Sequence, residues 1–372
     1  MVNEKLKKFS LGSILFFLCI NSIFAQSKIS DFNRYKSVIL KSEILKVDRI
    51  IYIYLPKSYN NSNKKYPVHY VTDGPSTSNV FADLLSLHAY VGSMPEGIII
   101  GLSSKNRENN MDIMSDNRER YLKFLIEEVS PFVDNNYRTN SFKSINGHSL
   151  GGGFALYTFL KNKDIFKFCI AGSPYPVNKL LSIKNQSDNL NTSYLYASFG
   201  EKENIDHTEF SNFQSYIDIN YKNNIEYNIN IHSGESHISN LAVNFQKGLE
   251  YFYSDWKFNL PESLETSIDV LLKNHYDKLS KHVGYKVNIK EWDVIFPVMD
   301  QLAKRGDFEN AVNILKYCIK IHPDSDQAYA FLARAYMSMG NIELAKENLN
   351  KSLEINPLNQ FALNLKQILN KQ

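Results

Sequence analysis

Residues 147–151 have the clearest potential for chemistry, because they read Gly-His-Ser-Leu-Gly. This Gly-x-Ser-x-Gly pattern lies between an apolar run typical of a strand and one typical of a helix, so it predicts a nucleophile elbow. The turn is sharp, and its glycines are needed where neighbouring backbone leaves no room for a Cβ atom. Ser149 would be the nucleophile. The backbone N–H of Leu150, at the helix start, would face the developing oxyanion.

A serine hydroxyl becomes a good nucleophile only when a base of near-neutral pKa takes its proton. The chain has nine histidines. His237 ends the stretch Gly-Glu-Ser-His (234–237), in a predicted loop between the last strand and a helix, where catalytic residues usually lie. We predict His237 as the base. His148, inside the elbow, and His232, on a predicted strand, are weaker candidates.

An acid must orient the histidine and stabilise its cation. The order serine, acid, histidine is that of α/β-hydrolases. A predicted strand at 193–199 is followed by three carboxylates, Glu201, Glu203 and Asp206. We favour Glu203. The residues alone leave Glu201 and Asp206 open, and all three also fit a solvated, charged loop.

The elements that would position these residues alternate between strand and helix from about residue 38 to residue 256. The predicted strands are 50–55, 68–71, 97–102, 166–171, 193–199 and 225–232, and the predicted helices are 80–89, 121–133, 154–160, 210–221 and 241–252. The run 97–102 is apolar on both faces, as a central parallel strand should be. Such alternation predicts the α/β class with a doubly wound, mostly parallel sheet.

The C-terminal third is helical and contains a repeat of 34 residues. The equivalent pairs are Gly306 and Gly340, Ala311 and Ala345, Leu315 and Leu349, and Pro323 and Pro357. A glycine between two helices and a proline at the end of this period are typical of tetratricopeptide repeats. Ile295, Val298 and Leu302 would lie on the first helix of the poorer copy, and 360–369 would be a capping helix. Because so short an array is unstable alone, we expect it to dock on the α/β domain.

The N-terminus has the pattern of a signal peptide. Lys5, Lys7 and Lys8 precede an apolar run at 11–20, and Ala25 lies at a plausible cleavage point. The apolar run is too short to span a bilayer comfortably. We therefore predict a periplasmic or secreted protein with four parts: a signal peptide (1–25), an α/β domain (26–258), a helical connector (259–290) and the repeats (291–372).

Charge and cysteine content exclude several classes of function. The net charge of +3 does not favour a nucleic-acid partner. Cys169 and Cys318 remain after signal cleavage, and each lies in an apolar segment typical of a buried thiol rather than a disulfide. No cysteine–histidine cluster has metal-ligand spacing, so neither a metal nor a cofactor is expected.

Several stretches besides the elbow make the chain similar to the putative-esterase (esterase D-like) family of α/β-hydrolases. They are residues 53–59 (Ile-Tyr-Leu-Pro-Lys-Ser-Tyr), 66–74 (Tyr-Pro-Val-His-Tyr-Val-Thr-Asp-Gly), 173–174 (Ser-Pro) and 235–237 (Glu-Ser-His). The helical repeat tail makes the layout most similar to the siderophore-esterase-like branch. The resemblance implies an α/β-hydrolase fold with Ser149 as nucleophile and His237 as base. It also implies an acid three residues after the glycine that ends the strand, which here is Glu203.

The chain departs from the family pattern at Pro75. Relatives often take a second oxyanion N–H from the residue after the Asp-Gly turn, and proline has none. We expect either that Ser76 supplies this donor or that the oxyanion hole depends on Leu150 alone. One lost oxyanion donor typically slows catalysis by about 100- to 1,000-fold.

The sequence therefore predicts a serine carboxylic-ester hydrolase that forms an acyl-enzyme on a small-molecule, siderophore or acylated-sugar ester. Two alternatives stay open: an acyltransferase with the same triad, and a catalytically weakened scaffold that binds a protein through its repeats. The expected partners are a small-molecule ester and, through the repeats, a protein. No nucleic acid and no stable membrane anchor after signal cleavage are expected.

Overall fold

The computed structural model describes residues 34–181, 192–203, 207–259, 261, 266–292, 294–295 and 306–370. The predicted signal peptide, the carboxylate of Asp206, and the helix positions Val298 and Leu302 lie outside these ranges. The domain boundaries given above stay predictions.

Eight strands form one sheet. They are β1 (Lys36–Lys41), β2 (Asp48–Tyr54), β3 (Tyr66–Gly74), β4 (Ile98–Ser103), β5 (Thr139–His148), β6 (Phe168–Gly172), β7 (Ser193–Gly200) and β8 (Ile225–His232). Their order across the sheet is β1-β2-β4-β3-β5-β6-β7-β8. The neighbours from β4 to β8 are parallel, and β2 is antiparallel to β4. The predicted α/β class with a mostly parallel, doubly wound sheet is confirmed.

Helices connect the strands. They are α1 (Ser76–Tyr90), α2 (Arg107–Met111), α3 (Arg118–Lys123), α4 (Ser130–Asn136), α5 (Leu150–Lys161), α6 (Val177–Leu180), α7 (His207–Tyr221) and α8 (Asn240–Phe252). A π-helical turn, Phe124–Val129, joins α3 to α4, and single 3₁₀ turns lie at Tyr59–Asn61 and Glu201–Glu203. Every residue of α5 from Gly151 to Leu160 is buried, because this helix lies against the middle of the sheet.

The middle of the sheet is buried on both faces. All nine residues of β3 are buried, and β4 is buried from Ile98 to Leu102. The prediction for residues 97–102 described a central parallel strand, and β4 is parallel to β3 only, since its other neighbour is the antiparallel β2. Helices cover both faces of the sheet at β4. This strand is therefore continuously apolar, even though one of its two neighbours is antiparallel.

The tail is helical and follows the predicted period. Its described helices are α9 (Ile268–Val283), α10 (Phe308–Ile321), α11 (Asp326–Ser338), α12 (Ile342–Ile355) and α13 (Gln360–Leu369). Gly306 and Gly340 precede α10 and α12 with φ of 69° and 77°. The equivalent Ala311 and Ala345 are both buried. Within the described ranges, no helix is both long and apolar enough to cross a bilayer.

The tail contacts the α/β domain through α9. His282 Nε2 donates to the carbonyl oxygen of Phe252 at 2.8 Å, and its ring lies 4.4 Å from the rings of Phe252 and Tyr194. Just after α9, the carbonyl of Gly284 accepts a hydrogen bond from Ser141 Oγ at 3.1 Å. The connector helix therefore packs on the α/β domain, and the expected docking of the repeats themselves stays a prediction.

Candidate active site

Ser149 lies alone between β5 and α5 in a strained conformation. Its φ of 60° and ψ of −130° are rare for a residue with a side chain. Hydrogen bonds hold this turn on both sides. The Ser149 N–H donates to Gly172 O at 2.8 Å, and its carbonyl oxygen accepts from Gly153 N at 2.8 Å and Tyr175 N at 3.2 Å. The predicted elbow therefore has the sharp geometry that presents a serine side chain at the carboxyl edge of the sheet.

The elbow glycines lie where backbone segments pass closest. A Cβ atom on Gly147 would overlap the carbonyl oxygen of Gly151 and the hydroxyl of Thr72. One on Gly151 would overlap the same hydroxyl and a carboxylate oxygen of Asp73. Both positions thus require glycine for space, as the sequence pattern predicted.

His237 contacts the carboxylate of Glu203. It lies in the loop between β8 and α8, and its Nδ1 is 2.7 Å from Oε2 of Glu203. The Glu203 side chain is 9% exposed, whereas that of His237 is 46% exposed. The acid is therefore shielded while the imidazole reaches solvent and the cleft, so this pair can orient a base.

The remaining contacts of Glu203 fix its carboxylate. Its Oε1 accepts a hydrogen bond from Ser173 Oγ at 2.6 Å and another from the backbone N–H of Gly200. Glu201 points elsewhere, since its Oε2 accepts from Gly234 N at 2.7 Å and Ser233 Oγ at 3.1 Å. The bond from Gly234 is the main reason that the pKa of Glu201 is lowered. Of these two carboxylates, Glu203 is the one at His237.

His148 lies beside the imidazole of His237. The two ring centroids are 4.7 Å apart. Burial, followed by the nearby His237, lowers the pKa of His148 to about 4. His148 is therefore held in its neutral form at neutral pH. Its place under the site agrees with its weaker candidacy as the base.

An ion pair ties the end of β3 to the elbow. Arg107 Nε lies 2.7 Å from Asp73 Oδ1, and its Nη2 donates to the carbonyl oxygen of His148 at 3.4 Å. Burial raises the pKa of Asp73, and the Arg107 charge opposes this rise. Asp73 also has a positive φ of 57°. Arg107 therefore links the end of β3 to the residue that precedes Ser149.

A cleft of about 840 Å³ opens over these residues. It is lined by Asp112, Met114, Ser149, Ser173, Pro174, Tyr175, Pro176, Val177, Asn178, Lys179, Phe199, Glu203, Glu209 and His237. Ser149, Glu203 and His237 thus face one space, whose size is that of sites for small molecules. In the described part of the chain, no group of three His, Cys, Asp or Glu residues could hold a metal ion, and the thiols of Cys169 and Cys318 are free and buried.

The two predicted oxyanion donors begin helices at the same edge of the sheet. Leu150 is the first residue of α5 after β5, and Ser76 is the first residue of α1 after β3, the parallel neighbour of β5. N–H groups in a first helical turn have no acceptor within the helix. Neither residue is among those that line the cleft, and the Ser76 hydroxyl donates to Asp73 O at 3.0 Å. Their roles stay predictions.

Some residues at the site carried no predicted role. Asp73 and Arg107 lie far apart in sequence, and no local pattern pairs them. Ser173 follows β6 and bonds Glu203. In the sequence, the Ser-Pro pair at 173–174 was one of the stretches similar to the family, but it did not indicate a role for Ser173.

The sheet order, the strained serine elbow and the histidine after the last strand define an α/β-hydrolase. The chain belongs to the family described as "Putative esterase", whose profile matches residues 42–264. A tetratricopeptide repeat profile matches residues 302–367, which confirms the predicted type of tail. None of the curated proteins searched matches the chain significantly.

Solved structures share this fold at low identity. An uncharacterised protein from Capnocytophaga ochracea superposes with a TM-score of 0.64 at 19% identity, over 86% of this chain and 93% of that one. An IroE-like serine hydrolase from Shewanella oneidensis superposes with a TM-score of 0.59 at 20% identity, over 74% of this chain and 96% of that one. The siderophore hydrolase EstB from Aspergillus nidulans superposes with a TM-score of 0.51 at 15% identity, over 62% of this chain and 99% of that one. The predicted family and fold are confirmed, and the chain is a member of a hydrolase family.

Proposed function

We propose that the protein is a serine carboxylic-ester hydrolase that forms an acyl-enzyme intermediate on Ser149. The observation that carries the proposal is the 2.7 Å contact of His237 Nδ1 with Glu203, in a cleft that Ser149 also lines. A carboxylate at Nδ1 selects the tautomer whose Nε2 can accept a proton. The strained elbow supplies the matching nucleophile.

In the proposed reaction, Ser149 Oγ attacks the ester carbonyl carbon while His237 Nε2 takes the hydroxyl proton. The tetrahedral oxyanion would accept a hydrogen bond from the Leu150 N–H, with Ser76 as the candidate second donor. His237 then gives its proton to the departing alcohol oxygen, which leaves an acyl-Ser149 ester. Water, deprotonated by His237, attacks this ester, the bond to Ser149 Oγ breaks, and His237 returns the proton to Ser149 as the carboxylic acid is released.

The lining of the cleft supports a small-molecule ester with apolar and polar parts. Tyr175 is 62% exposed and Met114 is 54% exposed, so both offer apolar surface to a ligand. Asn178 and Glu209, joined by a 3.2 Å hydrogen bond, provide polar groups on the same wall. Siderophore and acylated-sugar esters are the candidate substrates that we retain. The basic and apolar pattern of residues 1–25 supports action in the periplasm or after secretion.

Covalent labelling tests the proposal. A fluorophosphonate probe should modify the wild-type protein at Ser149 alone, because this serine is the one that a base can activate. Labelling should disappear in Ser149→Ala and fall strongly in His237→Gln. The matched control is Glu201→Gln, which alters a carboxylate in the same turn and should label like the wild type. A folded wild-type protein that does not react would favour the weakened scaffold.

Product analysis separates hydrolysis from acyl transfer. With an activated ester and an added sugar or alcohol, a hydrolase releases free acid in proportion to ester consumed. A new ester of the added alcohol as the main product would instead make the protein an acyltransferase. The substrate class follows from comparing kcat/KM over siderophore, feruloyl and acetyl-sugar esters.

A further inference from the structure

A line of hydrogen bonds, buried at Ser173 and Asn240, runs behind the carboxylate of Glu203. Ser173 Oγ, which donates to Glu203 Oε1 at 2.6 Å, itself accepts from Asn240 Nδ2 at 2.9 Å. Asn240 Oδ1 lies 2.7 Å from His232 Nδ1, and His232 Nε2 lies 2.9 Å from the hydroxyl of Tyr196. Asn240 is fully buried and Ser173 is 3% exposed.

The chemistry of the groups determines the direction of these hydrogen bonds. The Nδ2 of Asn240 lies 3.2 Å from the carbonyl oxygen of Ser198, which can only accept, so the orientation of the amide is set. Its oxygen then accepts from His232 Nδ1–H, and its second N–H donates to Ser173. The Ser173 proton is therefore directed at Glu203. Each donor in the line from His232 to Ser173 points toward the acid.

Asn240 also holds the loop that carries His237. It is the first residue of α8, three positions after His237, and its backbone N–H donates to Ser236 O at 2.9 Å. Its side-chain amide makes three strong hydrogen bonds, to Ser173, Ser198 O and His232, while the single Ser198 hydroxyl proton has a shorter acceptor in Asn244 Oδ1 at 2.7 Å than in Asn240 Oδ1 at 3.3 Å. One residue thus joins the loop of the base to the serine that bonds the acid.

We propose that Asn240 is a positioning residue of the site, acting through Ser173 on the carboxylate of Glu203. The inference rests on the proposed function, because a positioned acid matters only if His237 acts as a base. Glu203 must keep Oε2 toward His237 Nδ1, and the Ser173 and Gly200 donors on Oε1 prevent the carboxylate from rotating away. Without Asn240, the Ser173 hydroxyl is free to turn to another acceptor.

A double-mutant cycle tests this proposal with a short-chain p-nitrophenyl ester as substrate. Ser173→Ala and Asn240→Ala should each lower kcat by about tenfold, comparable to losing one hydrogen bond to a charged group. KM should stay within about twofold, because the acid acts on charge that develops in the transition state. In a Glu203→Ala background, each substitution should lower kcat by less than about twofold, since the group through which it acts is gone.

Ser144→Ala is the matched control. Ser144 is another fully buried serine, and its Oγ lies 2.8 Å from His69 Nδ1, away from the cleft. This substitution should lower the melting temperature while kcat is retained. The rate of fluorophosphonate labelling of Ser149 gives a second readout, and it should follow the same pattern as kcat in every variant.

Two outcomes would overturn the positioning role. One is unchanged kcat and labelling in both single variants, and the other is an equal loss with and without Glu203, which a general loss of packing would produce. Both are distinct from failure of the proposed function, in which the wild-type protein itself neither labels nor cleaves the ester. If Asn240→Ala does not fold, Asn240→Leu takes its place in the cycle, because leucine has a similar shape and lacks the Nδ2 donor to Ser173.

Discussion

The catalytic edge of the sheet and the repeat tail use left-handed backbone in opposite ways. At the catalytic edge, residues with side chains adopt positive φ: 57° at Asp73, 60° at Ser149 and 42° at Ser173. In the described tail, positive φ occurs only at glycines, such as Gly306 at 69° and Gly340 at 77°. Glycine takes this conformation at little steric cost, whereas a residue with a Cβ atom does not.

In the tail, the backbone conformation is the one that the local residues prefer. At the catalytic edge, tertiary contacts hold residues in a conformation that they do not prefer. Side chains of Asp307, Ser325 and Asn359 cap three of the described tail helices, and the positive φ values there fall on glycines, so local preference and fold agree. The catalytic edge is strained, and neighbours such as the buried Thr72 and the Asp73–Arg107 ion pair surround the strained turns. Strain of this kind persists only where the surroundings over-determine it, which is typical of functional sites.

The largest expected effect comes from adding one methyl group at the elbow. Gly147→Ala should lower the free energy of unfolding by about 3 kcal/mol or more, because the new Cβ would overlap the Gly151 carbonyl and Thr72. Labelling of Ser149 should be lost as well. Chemical denaturation and the fluorophosphonate probe measure the two effects.

The tail supplies the contrast for this change. A Cβ atom added at Gly340 would have no heavy atom within 4 Å apart from those of its own and the two adjacent residues. Gly340→Ala should therefore lower the free energy of unfolding by only about 1 kcal/mol, because alanine is disfavoured in left-handed backbone. Labelling should be unchanged. Similar losses in both variants would mean that the elbow is no more tightly constrained than a repeat turn.

A second substitution tests which carboxylate the tertiary structure has selected. Glu203→Gln should lower kcat by at least about 100-fold, because an amide cannot stabilise the His237 cation as a carboxylate does. Glu201→Gln should change kcat by less than about threefold, since Glu201 bonds only the loop at Ser233 and Gly234. Steady-state kinetics on one ester compare the two, and equal losses would contradict the assignment of Glu203.

A third prediction concerns acid stability. The pKa of His148 is lowered to about 4, below its ordinary value of 6.5, so the unfolded chain binds more protons between these values. Stability should therefore fall as the pH drops from 6.5 toward 4, by up to about 3 kcal/mol from this residue. His148→Asn should flatten this part of the curve of melting temperature against pH.

Part of the slope should remain in that variant. Burial lowers the pKa of His69 to about 3, so this second histidine has the same sign of effect in the same range. A pH dependence that His148→Asn leaves wholly unchanged would argue that His148 is already protonated in the folded protein.

The smallest effect is expected in the tail. Ser325 caps α11, with its Oγ accepting from Ala328 N at 2.9 Å, and Asn359 caps α13 in the same way one repeat later. Ser325→Ala should therefore cost about 1 kcal/mol. The denaturation midpoint should fall slightly, while kcat on the same ester is retained. A marked loss of kcat would mean that the repeats are coupled to the catalytic edge.

The sequence predicted most of the fold because its signals are local. Strand–helix alternation, the Gly-x-Ser-x-Gly turn and the 34-residue period each depend on residues close together in the chain. It also named Ser149 and His237, because the elbow and the loop after the last strand have recognisable neighbours. The exception in the sheet was β4, whose antiparallel neighbour β2 no local pattern could reveal.

Tertiary structure alone decided the contacts that complete the site. The family resemblance already favoured Glu203, but the residues alone left Glu201 open, because both carboxylates lie in one turn. The position of the His237 loop brings Glu203 to the imidazole, whereas Glu201 bonds Gly234. The same holds for Arg107 on Asp73, and for Asn240 behind Ser173, which come from different connections of the sheet. The physical reason is that a hydrogen bond between distant segments depends on where the sheet places their ends, and residue spacing along the chain does not carry that information.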